Sequence, residues 1–146
     1  MIYGDGYLKE ELEKHIREIG MTDRVKLAGS VHNLEDTIYD SALFVLSSDF
    51  EGMPNALLEA MSLGLPVIST DASGGGPREV IRSGTNGVLV PVGDKDAIAD
   101  AMVEVLSDYT YSEKLASNAH RIVEAMSPGA TLKKWESYIS DVSCWS

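Results

Sequence analysis

The sequence predicts an α/β fold, a doubly wound parallel sheet with helices on both faces, and three observations carry that prediction. Five short, continuously apolar runs alternate with stretches of helical periodicity, the pattern of strands covered by their crossover helices. Glycine and proline stand at helix boundaries: Gly20 and Gly64 behind two helices, Pro54 and Pro77 at the start of two others. The chain has 146 residues, 44 % of them hydrophobic. At that length a fold buries about 70 % of its unfolded surface without staples. No repeat, low-complexity stretch or linker divides it, so residues 1–146 are expected to form one domain.

Met1-Ile2-Tyr3 reads as the tail of a strand, and a domain seldom opens there, so the chain is expected to be a fragment. Tyr7 to Ile19 is a predicted helix with Leu8, Leu12, Ile16 and Ile19 on one face. Strand Val25–Ala28 follows, then a short helix from Asn33 to Tyr39 with Asn33 as its cap. Leu43–Ser47 is a buried strand and Pro54–Leu63 a helix. Val67–Ser69 is a strand, Pro77–Ile81 a short helix and Gly87–Val90 the last strand. Three helices, Asp96–Ser107, Tyr111–Ala125 and Thr131–Val142, finish the chain.

Twelve basic residues stand against 23 acidic ones, a net charge of −11. That argues against sequence-independent binding to nucleic acid or to anionic lipid heads. A small anion stays open, because local backbone dipoles build such sites. No apolar run approaches the ~18 residues of a membrane helix. Met1-Ile2-Tyr3-Gly4 has neither the basic nor the apolar region of a signal peptide. A single cysteine, Cys144, permits no internal disulfide and fits a reducing, cytoplasmic setting.

In a parallel sheet, ligands sit in the loops that leave the carboxyl ends of the strands. The first such loop, Gly4-Asp5-Gly6, has the G-x-G of a dinucleotide fingerprint, but Lys9 replaces the third glycine. Ala28-Gly29-Ser30 stands where the acidic ribose ligand belongs, so a tight turn is the favoured reading. The second loop runs from Ser47 into Asn55-Ala56-Leu57-Leu58-Glu59. Glu51 lies in the loop and Glu59 on the helix, with the amides and positive end of the helix start between them. A diphosphate suits the amides, and each ionised carboxylate suits a diol.

The third loop, Asp71 to Glu79, reads equally as an anion-binding nest of Gly74, Gly75 and Gly76 or as a flexible connection. Arg78 reads as a surface arginine paired with Glu79 or Glu51, with a phosphate clamp as the rival. Asp94-Lys95-Asp96 has the D-x-D form of metal-dependent sugar transferases, but its place at a helix start makes Asp94 a cap. His15, His32 and His120 lack metal-ligand spacing, and no metal is expected.

Glu51-Gly52-Met53-Pro54-Asn55-Ala56-Leu57-Leu58-Glu59-Ala60-Met61, followed by Gly64-Leu65-Pro66-Val67-Ile68, closely resembles the E-x7-E core of group 1 retaining glycosyltransferases. Three further stretches match that family in order. These are Gly4-Asp5-Gly6, Arg24-Val25-Lys26-Leu27-Ala28-Gly29 with Leu27 for the usual aromatic, and Gly84-Thr85-Asn86-Gly87-Val88-Leu89-Val90-Pro91. The resemblance implies one half of a GT-B enzyme: the carboxy-terminal, Rossmann-like domain that binds the nucleotide-sugar donor. It leaves out that domain's first strand and helix, which carry an Arg/Lys pair for the diphosphate in the family.

By resemblance, Glu51 is the catalytic residue beside the donor sugar and Glu59 holds the ribose hydroxyls. Gly52, Met53, Pro54, Asn55, Ala56 and Leu57 face the donor sugar and diphosphate, and Gly29, Ser30 and Val31 border the base. The implied donor is a UDP-hexose or UDP-N-acetylhexosamine, used without metal or other cofactor in polysaccharide or glycolipid synthesis. The implied partner is an amino-terminal acceptor domain, in a full-length enzyme that can lie at the periphery of a membrane. Without that domain, the stripe Leu132, Trp135, Tyr138, Ile139 and Val142 folds onto its own sheet, self-associates or stays exposed. The isolated chain is expected to be inactive, since the acceptor half is absent. Two rivals belong to other classes: a glycoside hydrolase using Glu51 and Glu59, and a non-catalytic donor-binding subunit.

Overall fold

A computed structural model describes residues 1–143, so Cys144 lies outside the described residues. The fold is mixed α/β with parallel sheets and helices around them, and it divides into two compact units, Met1–Thr37 and the chain from Ile38 onward.

In the first unit, β1 (Ile2–Tyr3) pairs in parallel with β2 (Leu27–Gly29), with Ile2 opposite Leu27 and Tyr3 opposite Gly29. Between them runs α1 (Lys9–Glu18), which starts two residues inside the predicted helix and buries none of its residues. Gly20 ends it in the left-handed conformation, as a helix stop should. α2 (Leu34–Ile38) straddles the point of division. Asn33 does not accept a backbone bond there: its amide donates to Asp36 at 2.6 Å, and its carbonyl accepts from the Thr37 hydroxyl at 2.8 Å.

The second unit holds the core. β3 (Phe44–Leu46), β4 (Val67–Thr70) and β5 (Val88–Val90) form a parallel sheet in that order. Val45 pairs with Ile68 and Ile68 with Val88 across it. The central strand β4 is buried at every residue, and its run Val-Ile-Ser-Thr is apolar or small throughout for that reason. The five strands thus fall into two sheets. Apolar runs identify strands, but which edges pair depends on hydrogen-bonding partners that the runs do not encode.

α3 (Asn55–Ser62) buries Leu57, Ala60 and Met61, and α4 (Gly76–Val80) buries Pro77 and Val80. α5 (Lys95–Ser107) and α6 (Tyr109–Ala119) pack on the sheet, where Ala101, Val105 and Leu115 join Ile68 and Val90 in one apolar cluster. Asp94 caps α5 by accepting from the Ala97 amide at 2.9 Å, and Asp108 caps α6 by accepting from Tyr111 at 2.9 Å. Burial, with Glu104 nearby, raises the Tyr111 hydroxyl above the usual phenol range.

The single helix predicted over Tyr111–Ala125 is two, α6 and α7 (Ile122–Ala125), broken at His120–Arg121. His120 Nδ1 sits 2.6 Å from the Ser62 carbonyl, which ties the end of α6 to the end of α3. Neither glycine nor proline marks this break, so only the tertiary contact reveals it. α8 (Pro128–Ser143) touches α7 and leaves Leu132, Trp135, Tyr138, Ile139 and Val142 exposed.

Candidate functional site

β3 ends at Leu46, and the chain loops through Ser47–Met53 to the start of α3. This loop is held from below by the segment after β4. The Glu51 amide donates to the Ser73 carbonyl at 2.9 Å, and both the amide and the hydroxyl of Ser73 donate to the Asp49 carbonyl, at 3.1 and 3.0 Å. Phe50 and Ser73 form a parallel bridge.

The glycines make this approach feasible. A Cβ on Gly76 would run into the Gly52 carbonyl, and Gly74, at φ +102°, lies against the carbonyl of Glu51. The amides of Gly75 and Gly76 donate to Ala72 O at 3.2 Å and Glu51 O at 3.4 Å. The Gly76 amide therefore serves the loop contact and the Gly75 amide a turn within its own segment, and this segment packs against the backbone of Glu51 and Gly52. Arg78 donates to Asp71 Oδ1 at 2.7 Å, which corrects the expected pairing with Glu79 or Glu51. Adjacent side chains on a helix diverge, so Glu79 is badly placed to meet it.

The Glu51 carboxylate is half-buried and accepts from the Ser48 hydroxyl at 2.7 Å. Sequence reasoning missed Ser48. The available signal was a hydroxyl three residues ahead of an acid, the separation a capping box uses.

Pro54 precedes α3 in an extended conformation, no side chain caps the helix, and its first turn holds no acidic residue. Pro54 has no N–H, and the amides of Leu57 and Leu58 both donate to its carbonyl, at 3.1 and 3.2 Å. Pro54 and Leu57 are buried, Ala56 is half-buried, and Gly52, Met53 and Asn55 are exposed. The helix start thus presents the amides of Asn55 and Ala56 with the positive end of the dipole uncompensated. One turn along, Glu59 is half-buried among Leu57, Ala60 and Met61, and its carboxylate has no hydrogen-bond or ion-pair partner among the described residues. The Glu59 carboxylate is thus open to solvent and free to accept hydrogen bonds.

In the first unit, Gly29, Ser30 and Val31 stand at the carboxyl end of β2, Gly29 at φ +73° and the other two exposed. A hollow of about 240 Å³ lies beside the Gly4–Gly6 turn and is lined by Ile2, Leu8, Leu12 and Leu27 among others. It includes none of the predicted site residues. Among the described residues, no three His, Cys, Asp or Glu side chains are grouped to hold a metal ion.

Residues 1–108 match the family described as glycosyl transferases group 1. The chain belongs to this family. As a group 1 glycosyltransferase domain, it is 32 % identical over 119 residues to the lipopolysaccharide core biosynthesis glycosyltransferase LpsE of Rhizobium meliloti, matching 82 % of this chain and 34 % of LpsE. It is also 32 % identical over 142 residues to an exopolysaccharide phosphotransferase of Streptomyces coelicolor, matching 97 % of this chain and 15 % of that protein. The chain therefore spans about a third or less of these relatives. In structure it superposes on a TarM variant of S. aureus, crystallised with fondaparinux, alpha-GlcNAc-glycerol and UDP, with a TM-score of 0.83 at 27 % identity over 93 % of this chain and 28 % of TarM. The structural neighbours are GT-B glycosyltransferases, and the fold is consistent with a Rossmann-like half of that architecture. Among the described residues, no helix is long and apolar enough to cross a membrane.

Proposed function

We propose that this chain is the carboxy-terminal donor-binding part of a retaining group 1 glycosyltransferase acting in polysaccharide or glycolipid synthesis. Its donor is a UDP-hexose or UDP-N-acetylhexosamine, bound without divalent metal. The observation that carries this reading is the unpartnered Glu59 carboxylate one turn into α3, with Glu51 held in the loop just ahead of the same uncapped helix start. The UDP present with the related TarM supports the choice of nucleotide.

In this reading the diphosphate lies at the amides of Asn55 and Ala56, and Gly52 and Met53 border the donor sugar. Glu59 accepts from the ribose hydroxyls and Glu51 from sugar hydroxyls near the anomeric carbon. The acceptor hydroxyl attacks the anomeric carbon on the face from which the nucleoside diphosphate departs, so configuration is retained. The growing negative charge on the leaving phosphate is met by amides and dipole that need no reorganisation. The acceptor is held by a separate, amino-terminal domain, so this chain alone transfers no sugar.

A glycoside hydrolase would need Glu51 and Glu59 to flank one glycosidic bond. Placement on either side of an uncapped helix start favours a bridging diphosphate instead. Calorimetry with UDP and UDP-glucose, with and without chelator, tests the proposal. Binding that survives the chelator is the expected result, and an absolute magnesium requirement would overturn it.

A further inference from the structure

Glu51 sits on a loop, and a loop carboxylate ordinarily samples several rotamers. Here its position is fixed from three sides. Its amide and carbonyl are tied to Ser73 and Gly76. Its Oε1 accepts the Ser48 hydroxyl at 2.7 Å. Ser48 is itself anchored, because the hydroxyl of Thr70, a residue 1 % exposed at the end of β4, donates to the Ser48 carbonyl. A buried strand end thus holds Ser48, and Ser48 holds the carboxylate.

We propose that Ser48 is a positioning residue for Glu51: its hydroxyl fixes the carboxylate through Oε1 and leaves Oε2 to accept from the donor sugar. This rests on the donor-binding reading of Glu51 given above. The chemistry suits the task. A serine hydroxyl donates to a carboxylate without adding charge, so it orients Glu51 and leaves it ionised. Holding a binding group in one orientation before the ligand arrives spares the ordering cost at binding. A purely structural hydrogen bond would leave the sugar part of the donor unaffected.

The test compares UDP with UDP-glucose and UDP-N-acetylglucosamine on the 146-residue chain, by calorimetry, with thermal melting as a check on folding. Ser48→Ala is expected to weaken the better-bound sugar nucleotide by about tenfold, the scale of a hydrogen bond to a charged group. Its affinity for UDP stays within about twofold, and Ser48→Thr restores the sugar nucleotide. Glu51→Ala shows the same selective loss, and adding Ser48→Ala to it changes nothing further, as two residues acting as one unit require. Equal losses for UDP and sugar nucleotide in Ser48→Ala, or a loss that persists in the Glu51→Ala background, would overturn the positioning role. A selective loss in Glu51→Ala with none in Ser48→Ala would do the same while sparing the donor-binding reading. If Glu51→Ala spares the sugar nucleotide, the assignment of Glu51 fails and the role of Ser48 fails with it.

Discussion

α3 and α8 carry the same signal in sequence and meet opposite fates. Both place apolar residues at helical spacing, Leu57, Ala60 and Met61 in one and Leu132, Trp135, Tyr138, Ile139 and Val142 in the other. In α3 those residues are fully buried, whereas in α8 they are 53–62 % exposed. Periodicity therefore states that a face needs cover, and says nothing about what covers it. In α3 the packing of Leu57 and Met61 fixes the axis of the helix that carries Glu59 and starts at the unbonded amides of Asn55 and Ala56. α8 carries no predicted site residue.

The sharpest way to break this comparison is a matched pair of truncations. Leu57→Ala should cost about 2–5 kcal/mol, the range for emptying a packed core position. Leu132→Ala should stay within about 0.5 kcal/mol, as exposed substitutions do. Urea unfolding measures both. Similar losses at every protein concentration would mean that α8 is covered in solution by its own domain.

Next in size is the split between the two glutamates. Glu59→Ala should weaken UDP binding by about 1–3 kcal/mol, since it removes an ionised acceptor. Glu51→Ala should leave UDP affinity nearly unchanged and abolish transfer in the complete enzyme. Titration of both variants with UDP decides, and equal losses of nucleotide affinity would end the proposed division of roles.

What was legible in the sequence follows the same contrast. The five strands and the order of helices showed in apolar runs, because strands such as Val67–Thr70 are buried on both faces and admit little else. Asp94 was readable as a cap because capping is local, its acceptor lying three residues from the amide. The candidate site was readable only where its logic is local, in the run from Glu51 to Glu59. The segment packed against it was not. Gly74 and Gly76 are glycines because a carbonyl more than twenty residues earlier leaves no room for a side chain, and sequence reading saw only a nest or a flexible connection. Ser48 and Thr70 are linked across the sheet in the same way, and so are Arg78 and Asp71 across the loop.

A smaller effect tests the local part. Asp94→Ala should destabilise the chain by about 1 kcal/mol, the usual cost of losing a helix cap, and should leave UDP affinity unchanged. Chemical unfolding and calorimetry check the two halves. A change in nucleotide affinity, or a new magnesium response, would give Asp94 a part in the site and revive the D-x-D reading.

The smallest effect on stability belongs to α8 itself. Its stripe is exposed along its length, with Trp135 and Tyr138 edge to face at 6.2 Å between ring centroids. Residues 131–142 are exposed, so removing the segment from 131 onward should cost under about 1 kcal/mol, the scale of changes outside the core. Association should respond far more. Five large apolar side chains on one helix form the kind of patch that drives contact between copies in the absence of another partner. The full chain should therefore sediment as a concentration-dependent mixture, and its melting temperature should rise with protein concentration as mass action requires. The truncated chain should sediment as a monomer at every concentration, with a melting temperature that does not depend on it. If truncation instead unfolds the chain at all concentrations, α8 belongs to the core of its own domain, and the contrast with α3 is lost.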